Sequence, residues 1–555
     1  MKPSHIFSAV AALCAVFYAL GPSLHAQEAT VLRHTGAPQD WSERSIVFSR
    51  DALARHPELL TREPRVLHQA MQRWQAPTWD AMQTIDPLTI SAKPLPPHRD
   101  WNASLGAGRV APHMFPLKFS FNPGAPPDCV NDFVVFGMST TGSSSQANLV
   151  AFNNLYVADD GSGLCPGTAP NVLFAYNITT IGGGISTSPI ISLDGTQIGF
   201  VESISGATPS AVFHVLTWSA TDGGTITAPA TPTAMTTLPF SATHSTTSSP
   251  WIDYGNDIVY VGDDAGTMYQ ITDVFGGTPT LSGSPWPVVL SAASHLSPAV
   301  LDSGLGMLMV GSQDGHLYQI NTATGAHTAV AIGAGVNSSG IVAPPIVDVT
   351  NGTTFTVSAN DGSSAVLVEL DTASLTQVSK ARIGLGAAIP FGGSSTTIHL
   401  GQPAFNNNYY NSPTTGSITL CGTSPTNTSP YQYTLGFVGT TMNTLGLATQ
   451  LSTSTTNRCT GWTEFYNPNA DGGLGTDFYF FGLTQDCTQY AAGVTTGCVV
   501  ALSSNSLIAT SAAAVKNGPS GIVVDNYSTA AQASSIYLSA VGASTAYKFT
   551  QVGLQ

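Results

Sequence analysis

Two eleven-residue segments, VGDDAGTMYQI from Val261 and VGSQDGHLYQI from Val310, align without a gap at an offset of 49 residues. Val, Gly, Gly, Tyr, Gln and Ile coincide. A repeat of this length constrains the fold more than any single residue can, because each copy is one supersecondary unit that buries its apolar surface only against a neighbouring copy. Each copy follows a Pro-containing strand that runs towards an Asp: SPWID at Pro250 and Asp253, SPAVLD at Pro298 and Asp302. A looser copy has PPIVD at Pro345 and Asp348, and another opens at Pro189 with TSPIISLDGTQIGFVES. Weaker units, such as DFVVFGMS with NLVAFNNLYV, TEFYNPN with DFYFFGL, and SGIVVDNYS with SIYLSAV, bring the starts to eight, spaced by about 46 to 61 residues.

Within a unit, three strands are clear and a fourth is weaker. The alternation in MYQIT and LYQIN reads as strand, and the Ala-Gly and Asp-Gly pairs supply the positive φ of a tight hairpin. One four-stranded sheet leaves apolar residues on both faces, and radial stacking covers both. The chain is therefore expected to be all-β: a β-propeller of seven or eight four-stranded blades. A parallel β-helix needs a much shorter period, and immunoglobulin-like sandwiches need units of about 90 to 100 residues.

The segment VGSQDGHLYQINTATG, Val310 to Gly325, resembles the blade motif of the pyrroloquinoline-quinone-like repeat propellers. The likeness is specific over residues 249 to 325, looser over 188 to 373 and architectural elsewhere. DWNASLG, FVVF and NLVAFNNLY are also similar to segments of a group of uncharacterised secreted propeller proteins of soil bacteria, a likeness that implies no activity. The first resemblance implies quinone chemistry only where the cofactor residues are present. Quinone-dependent alcohol dehydrogenases of that fold use adjacent disulfide-bonded cysteines, and this chain has no Cys-Cys pair. No catalytic or cofactor-binding residue is carried over, since shared fold does not imply shared function.

Residues 1–26, with Lys2, the apolar run Ile6 to Leu20 and Gly21-Pro22 before Ala26, read as a secretory signal peptide. Residues 27–110 read as an N-terminal extension, with a short amphipathic helix from Pro64 to Trp74 that aligns Val66, Leu67, Ala70, Met71 and Trp74, then a Pro-rich connector ending at Trp101. Residues 111–555 form the propeller. Six cysteines follow the signal segment, an even number in an exported chain, and this favours disulfides. Proximity pairs Cys129 with Cys165, Cys421 with Cys459, and Cys487 with Cys498. No later segment approaches the roughly 20 apolar residues of a spanning helix. The expected location is secreted or periplasmic.

Residues 111–555 hold six Lys or Arg against 23 Asp or Glu. Such a surface cannot neutralise phosphates, which excludes nucleic acid as a partner. The run NPNADGGLGTD places Asn467, Asn469, Asp471 and Asp477 as the first half of a candidate calcium loop, without the closing Glu of an EF-hand. His244 and His295 precede Pro-containing strands and are candidate channel-mouth ligands, although two ligands do not make a metal site. Asp253, Asp302 and Asp348 recur in successive units, as turn-forming residues do and a single catalytic group does not. The glycine run at Gly182 lacks the Lys of a phosphate loop. The expected function is a non-catalytic binding or scaffolding module for a protein or glycan. The alternative is an enzyme on the same fold, either a quinone-type oxidoreductase or a polysaccharide-active protein using Asp264 and Asp314.

Overall fold

A computed structural model describes residues 36–48, 63–70, 73 and 97–551, apart from 123–124, 292–293, 335–339, 387–399, 469, 471–474, 504–505, 527–529 and 531. The predicted signal peptide and residues 74–96 of the connector lie outside the described residues. The described chain is an eight-bladed β-propeller, so the open choice between seven and eight blades resolves to eight. Their innermost strands are, in order, Leu117–Ser120, Ile190–Ile191, Trp251–Asp253, Val300–Asp302, Ile346–Asp348, Ala404–Phe405, Thr463–Asn467 and Val523–Asp525.

Period-two alternation builds the ring. In the second strand of blade 1, Phe133 and Val135 pack towards blade 2 while Val134 and Phe136 pack towards blade 8. A sheet covered on both faces in this way is apolar throughout, which explains the unbroken run FVVF. Pro189, Pro250, Pro298 and Pro345 stand at the heads of inner strands, where the missing N–H leaves no ladder bond unmade. The serines before them tie one blade to the next: Ser188 N donates to Ser249 Oγ at 3.0 Å, and Ser248 Oγ to Ser297 O at 3.0 Å.

The hairpin glycines have the expected conformation, with φ of +83° at Gly266 and +89° at Gly315. The recurrent aspartates are turn residues. Asp253 Oδ1 accepts from Gly255 N at 3.0 Å and Asp348 Oδ1 from Thr350 N at 2.9 Å, while Asp302 Oδ1 accepts from Leu305 N at 3.0 Å.

Blade 8 draws its outer strand from the other end of the chain. His98–Ser104 pairs antiparallel with Thr545–Thr550, so the last residues of the connector complete the final sheet. Trp101 is buried there and donates its indole N–H to Leu155 O of blade 1 at 3.0 Å. Three disulfides join Cys129 to Cys165, Cys421 to Cys459 and Cys487 to Cys498, the pairing expected from proximity. Among the described residues, no helix is long and apolar enough to cross a membrane.

Candidate functional site

The central channel, where propellers commonly bind ligands, is occupied by the chain's own N-terminal segment. Ala37–Gln39 pairs antiparallel with Leu117–Ser120 of blade 1, and Ile46–Val47 pairs in parallel with Ile346–Asp348 of blade 5. Those blades face each other in an eight-membered ring, so the short 3₁₀ helix Trp41–Arg44 between the two strands crosses the channel. Asp40 caps that helix by accepting from Ser42 N at 2.7 Å.

Polar side chains anchor this segment to blades all round the ring. Gln39 Nε2 donates to Val524 O of blade 8 at 3.0 Å, and the Trp41 indole to Pro250 O of blade 3 at 3.2 Å, edge-on to Trp251. Arg44 donates to Trp462 O at 3.2 Å, to Thr463 Oγ1 and to Ile522 O, between blades 7 and 8. The helix Pro64–Ala70 follows. Arg65 lies 4.0 Å over the Trp251 ring and donates to Ile252 O at 3.0 Å. His68 pairs with Glu43, and Gln69 Nε2 donates to Ile46 O at 2.7 Å. Arg73 lies 3.5 Å over Tyr410, pairs with Glu464 and donates to Asn407 Oδ1 at 3.2 Å.

Val66 of the predicted apolar face is buried, but Arg65, His68 and Gln69 are buried as well, because the channel lining offers carbonyls, carboxylates and aromatic faces. The side chains of Leu67, Ala70, Met71 and Trp74 lie outside the described residues. A small cavity of about 60 Å³ remains between Glu43, Arg44, His68, Arg73 and Glu464. Burial pushes the Glu464 carboxyl up to about 8, with Asp477 adding to the rise and Arg73 opposing it. It also raises Asp477 and Glu43, and drives Arg44 down to about 10.

The sequence-predicted residues fall elsewhere. His295 Nδ1 sits 2.7 Å from Asp264 Oδ1, and His244 Nδ1 sits 4.0 Å from Asp263 Oδ2. Each histidine therefore pairs with a hairpin carboxylate of blade 3, and the ring centre that was expected to lie between them holds the N-terminal segment. Asp264 also accepts from Ser245 Oγ and from Thr247 N at 3.2 Å; burial raises its pKa, but these bonds and His295 outweigh that and hold it below the usual range. Asp314 accepts from His316 N and Ser291 Oγ, each at 3.0 Å, and is lowered in the same way. The Gly182 run wraps a carboxylate instead of a phosphate: Glu202 accepts from Thr180 N at 3.1 Å and Gly183 N at 2.9 Å.

Of the candidate calcium loop, Asn469 and Asp471 lie outside the described residues. Asn467 is buried, and Asp477 accepts from Asn407 N at 2.6 Å on the side facing Arg73 and Glu464. Among the described residues, no three His, Cys, Asp or Glu side chains gather as a metal site.

One cluster had no place in the sequence reading. At the seam of blades 8 and 1, Lys118 lies 2.9 Å from Asp525, Lys548 lies 2.7 Å from Asp100, and the Tyr156 hydroxyl donates to Asp132 at 2.7 Å, all enclosed. The available signal was the placement of two of the body's six basic residues inside the apolar strands LKFS and AYKFT.

The fold defines the chain as an eight-bladed β-propeller. No protein-family model matches the sequence, and no curated protein matches it. Solved structures it is similar to include BamB from Moraxella catarrhalis, at 12% identity over 75% of this chain and 95% of that one with a TM-score of 0.42. Sqt1 from Saccharomyces cerevisiae matches at 9% identity over 82% and 100%, TM-score 0.47, and the computationally designed Ika8 protein at 10% over 82% and 99%, TM-score 0.45. Nothing about activity follows from these likenesses.

Proposed function

We propose that this chain is an exported propeller of the pyrroloquinoline-quinone-like repeat kind that serves as a binding or scaffolding module, engaging a protein or glycan through its loops. The observation that supports this most is the filled channel, in which residues 37–48, 63–70 and 73 occupy the space where a propeller enzyme would hold cofactor or substrate. The carboxylates suited to an enzymatic reading are committed to the fold. Asp264 and Asp314 staple hairpins and are held below the usual carboxylate range, whereas a general acid needs a raised one. Half-exposed groups on the same hairpin face, His244, His295 and His316, offer polar contacts to a partner.

The test is reconstitution of the mature protein with pyrroloquinoline quinone and calcium, followed by desalting and an absorbance spectrum, beside a glycan-array screen. The expected result is a spectrum free of quinone; a retained chromophore overturns the reading in favour of an oxidoreductase. Isothermal titration with calcium addresses Asn467, Asn469, Asp471 and Asp477 separately. No heat and no gain in melting temperature end that part of the proposal.

A further inference from the structure

Blade 6 has one apolar face and one polar face, and both are covered. Ile418, Leu420, Tyr433 and Leu435 pack against blade 5 in an apolar cluster. The alternate residues Ser417, Thr419, Gln432 and Thr434 face blade 7, where they meet Tyr479 and Leu502 across a cavity of about 180 Å³. Protein interiors are otherwise close-packed, and burying hydroxyl and amide groups is costly unless they are hydrogen-bonded. Thr419 and Gln432 are only 3% and 5% exposed. Both turn to one atom: Thr434 Oγ1 lies 3.1 Å from Thr419 Oγ1 and accepts from Gln432 Nε2 at 3.3 Å.

We propose that this cleft between blades 6 and 7 binds one neutral, polyhydroxylated ring, a monosaccharide unit or a cyclic polyol. Its size equals that of about six waters at ~30 Å³ each, room for a single six-membered ring and its hydroxyls and too small for drug-sized ligands, whose sites start at ~300 Å³. Among the described residues, the lining contains no Asp, Glu, Lys, Arg or His, so a charged ligand would lose its hydration without a counter-charge. One wall presents hydroxyl and amide groups to ring hydroxyls; the other presents Tyr479 and Leu502 to the C–H face of the ring. The cleft is open to solvent, and the outer strand of blade 6 lies beside it. Leu447 and Thr449 pair with Thr434 and Gln432 and so share their face, and Leu447 is 64% exposed. The side chains of residues 506–510 of blade 7 lie outside the described residues.

Saturation-transfer NMR of the full mature protein with glucose, galactose, mannose, xylose and myo-inositol tests the proposal, with glucuronate and glucosamine as charged controls. Transfer to the ring C–H protons of at least one neutral compound is expected. Affinity should fall tenfold or more in Gln432→Leu and in the double variant Thr419→Val/Thr434→Val, which keep the cleft's shape, and should not change in Val130→Ala, an exposed position of blade 1. Should the buried variants unfold, Leu447→Arg on that outer strand is expected to weaken transfer by obstructing the opening. No transfer from any neutral compound, transfer that survives these variants, or equal competition by the charged controls overturns it. The quinone experiment does not involve this cleft, and a glycan-array signal that survives Gln432→Leu belongs to the loops rather than to the cleft.

Discussion

Lys548 Nζ lies 2.7 Å from Asp100 Oδ2, both side chains are fully enclosed, and 448 residues of chain separate them. With this contact the strands His98–Ser104 and Thr545–Thr550 are fastened into one sheet, blade 8, beside blade 1. Tyr156 extends the network by joining Asp132 to Asp525, and Lys118 completes it.

Removing one member of such a pair leaves the other charge buried without a partner, which costs about 3–5 kcal/mol. Lys548→Ala and Asp100→Ala are each expected to destabilise the propeller by that amount, read from urea unfolding midpoints at constant m. Replacement of both by apolar residues of similar volume should recover much of the loss. A double variant destabilised by the sum of the two single costs would show that the pair does not act as a unit.

Buried carboxyls, in the channel and between blades 5 and 6, make stability depend on pH. Burial raises the Glu464 carboxyl to about 8 and Glu369 to about 7, with Asp477 and Glu43 also raised. A raised acid keeps its proton in the folded state and releases it on unfolding, so stability falls as pH rises from the unfolded value near 4.5 through the folded value. Melting temperature is expected to be higher at pH 5 than at pH 8. Glu464→Gln should flatten that slope and remove a difference of about 3–4 kcal/mol between pH 5 and pH 8. A melting temperature that climbs over this range contradicts the assignment.

Arg44, Arg65 and Arg73 hold the same segment to blades 3, 6, 7 and 8. Limited proteolysis of the mature protein should spare residues 37–48 and 63–73 while the blades stay folded. The triple variant to Ala should expose both stretches to cleavage. Rapid loss of these residues from the unaltered protein would mean that they do not dock.

The three disulfides close loops of different length, with sequence separations of 36, 38 and 11. On the chain-entropy account, replacing both cysteines of a pair by Ser should cost about 4 kcal/mol for Cys129–Cys165 and about 3 kcal/mol for Cys487–Cys498. Calorimetry on the paired variants checks the order. The reverse order would place the stabilisation in native packing instead.

Asp264 joins its hairpin to the stretch that leads into blade 3 through Ser245 and Thr247, and to the stretch that leads into blade 4 through His295. Asp264→Ala removes several charge-assisted bonds, each worth ~1.5–3 kcal/mol with strong context dependence, and a net loss of about 2 kcal/mol is expected. Hydrogen exchange should accelerate around Thr247, whose N–H it binds, and remain slow at the far ends of the same strands. Uniform acceleration would indicate a global effect.

Much of the fold was legible because its code is local. The hairpin glycines, the aspartates that close turns at Asp253 and Asp348, and the in-and-out alternation of Phe133 to Phe136 all act within one blade or its neighbour, so each leaves a mark every 50 residues or so. The candidate site was not legible for the converse reason. His244 and His295 looked like channel ligands because their sequence positions matched, but the hairpin carboxylates they meet and the segment that fills the channel are contributed by other parts of the chain.

Local patterning carried the all-β repeat and its period, the even set of cysteines and the acidic body. The folded ring settled the blade number at eight and the cysteine pairing, and with them what fills the channel, how the ring closes and where a polar cleft opens between blades 6 and 7. Trp41 with Pro250, Gln39 with Val524 and Lys548 with Asp100 meet across 209, 485 and 448 residues. Contacts of that kind join polar side chains once each, without period or pattern, and come into being only when the ring has brought their blades together.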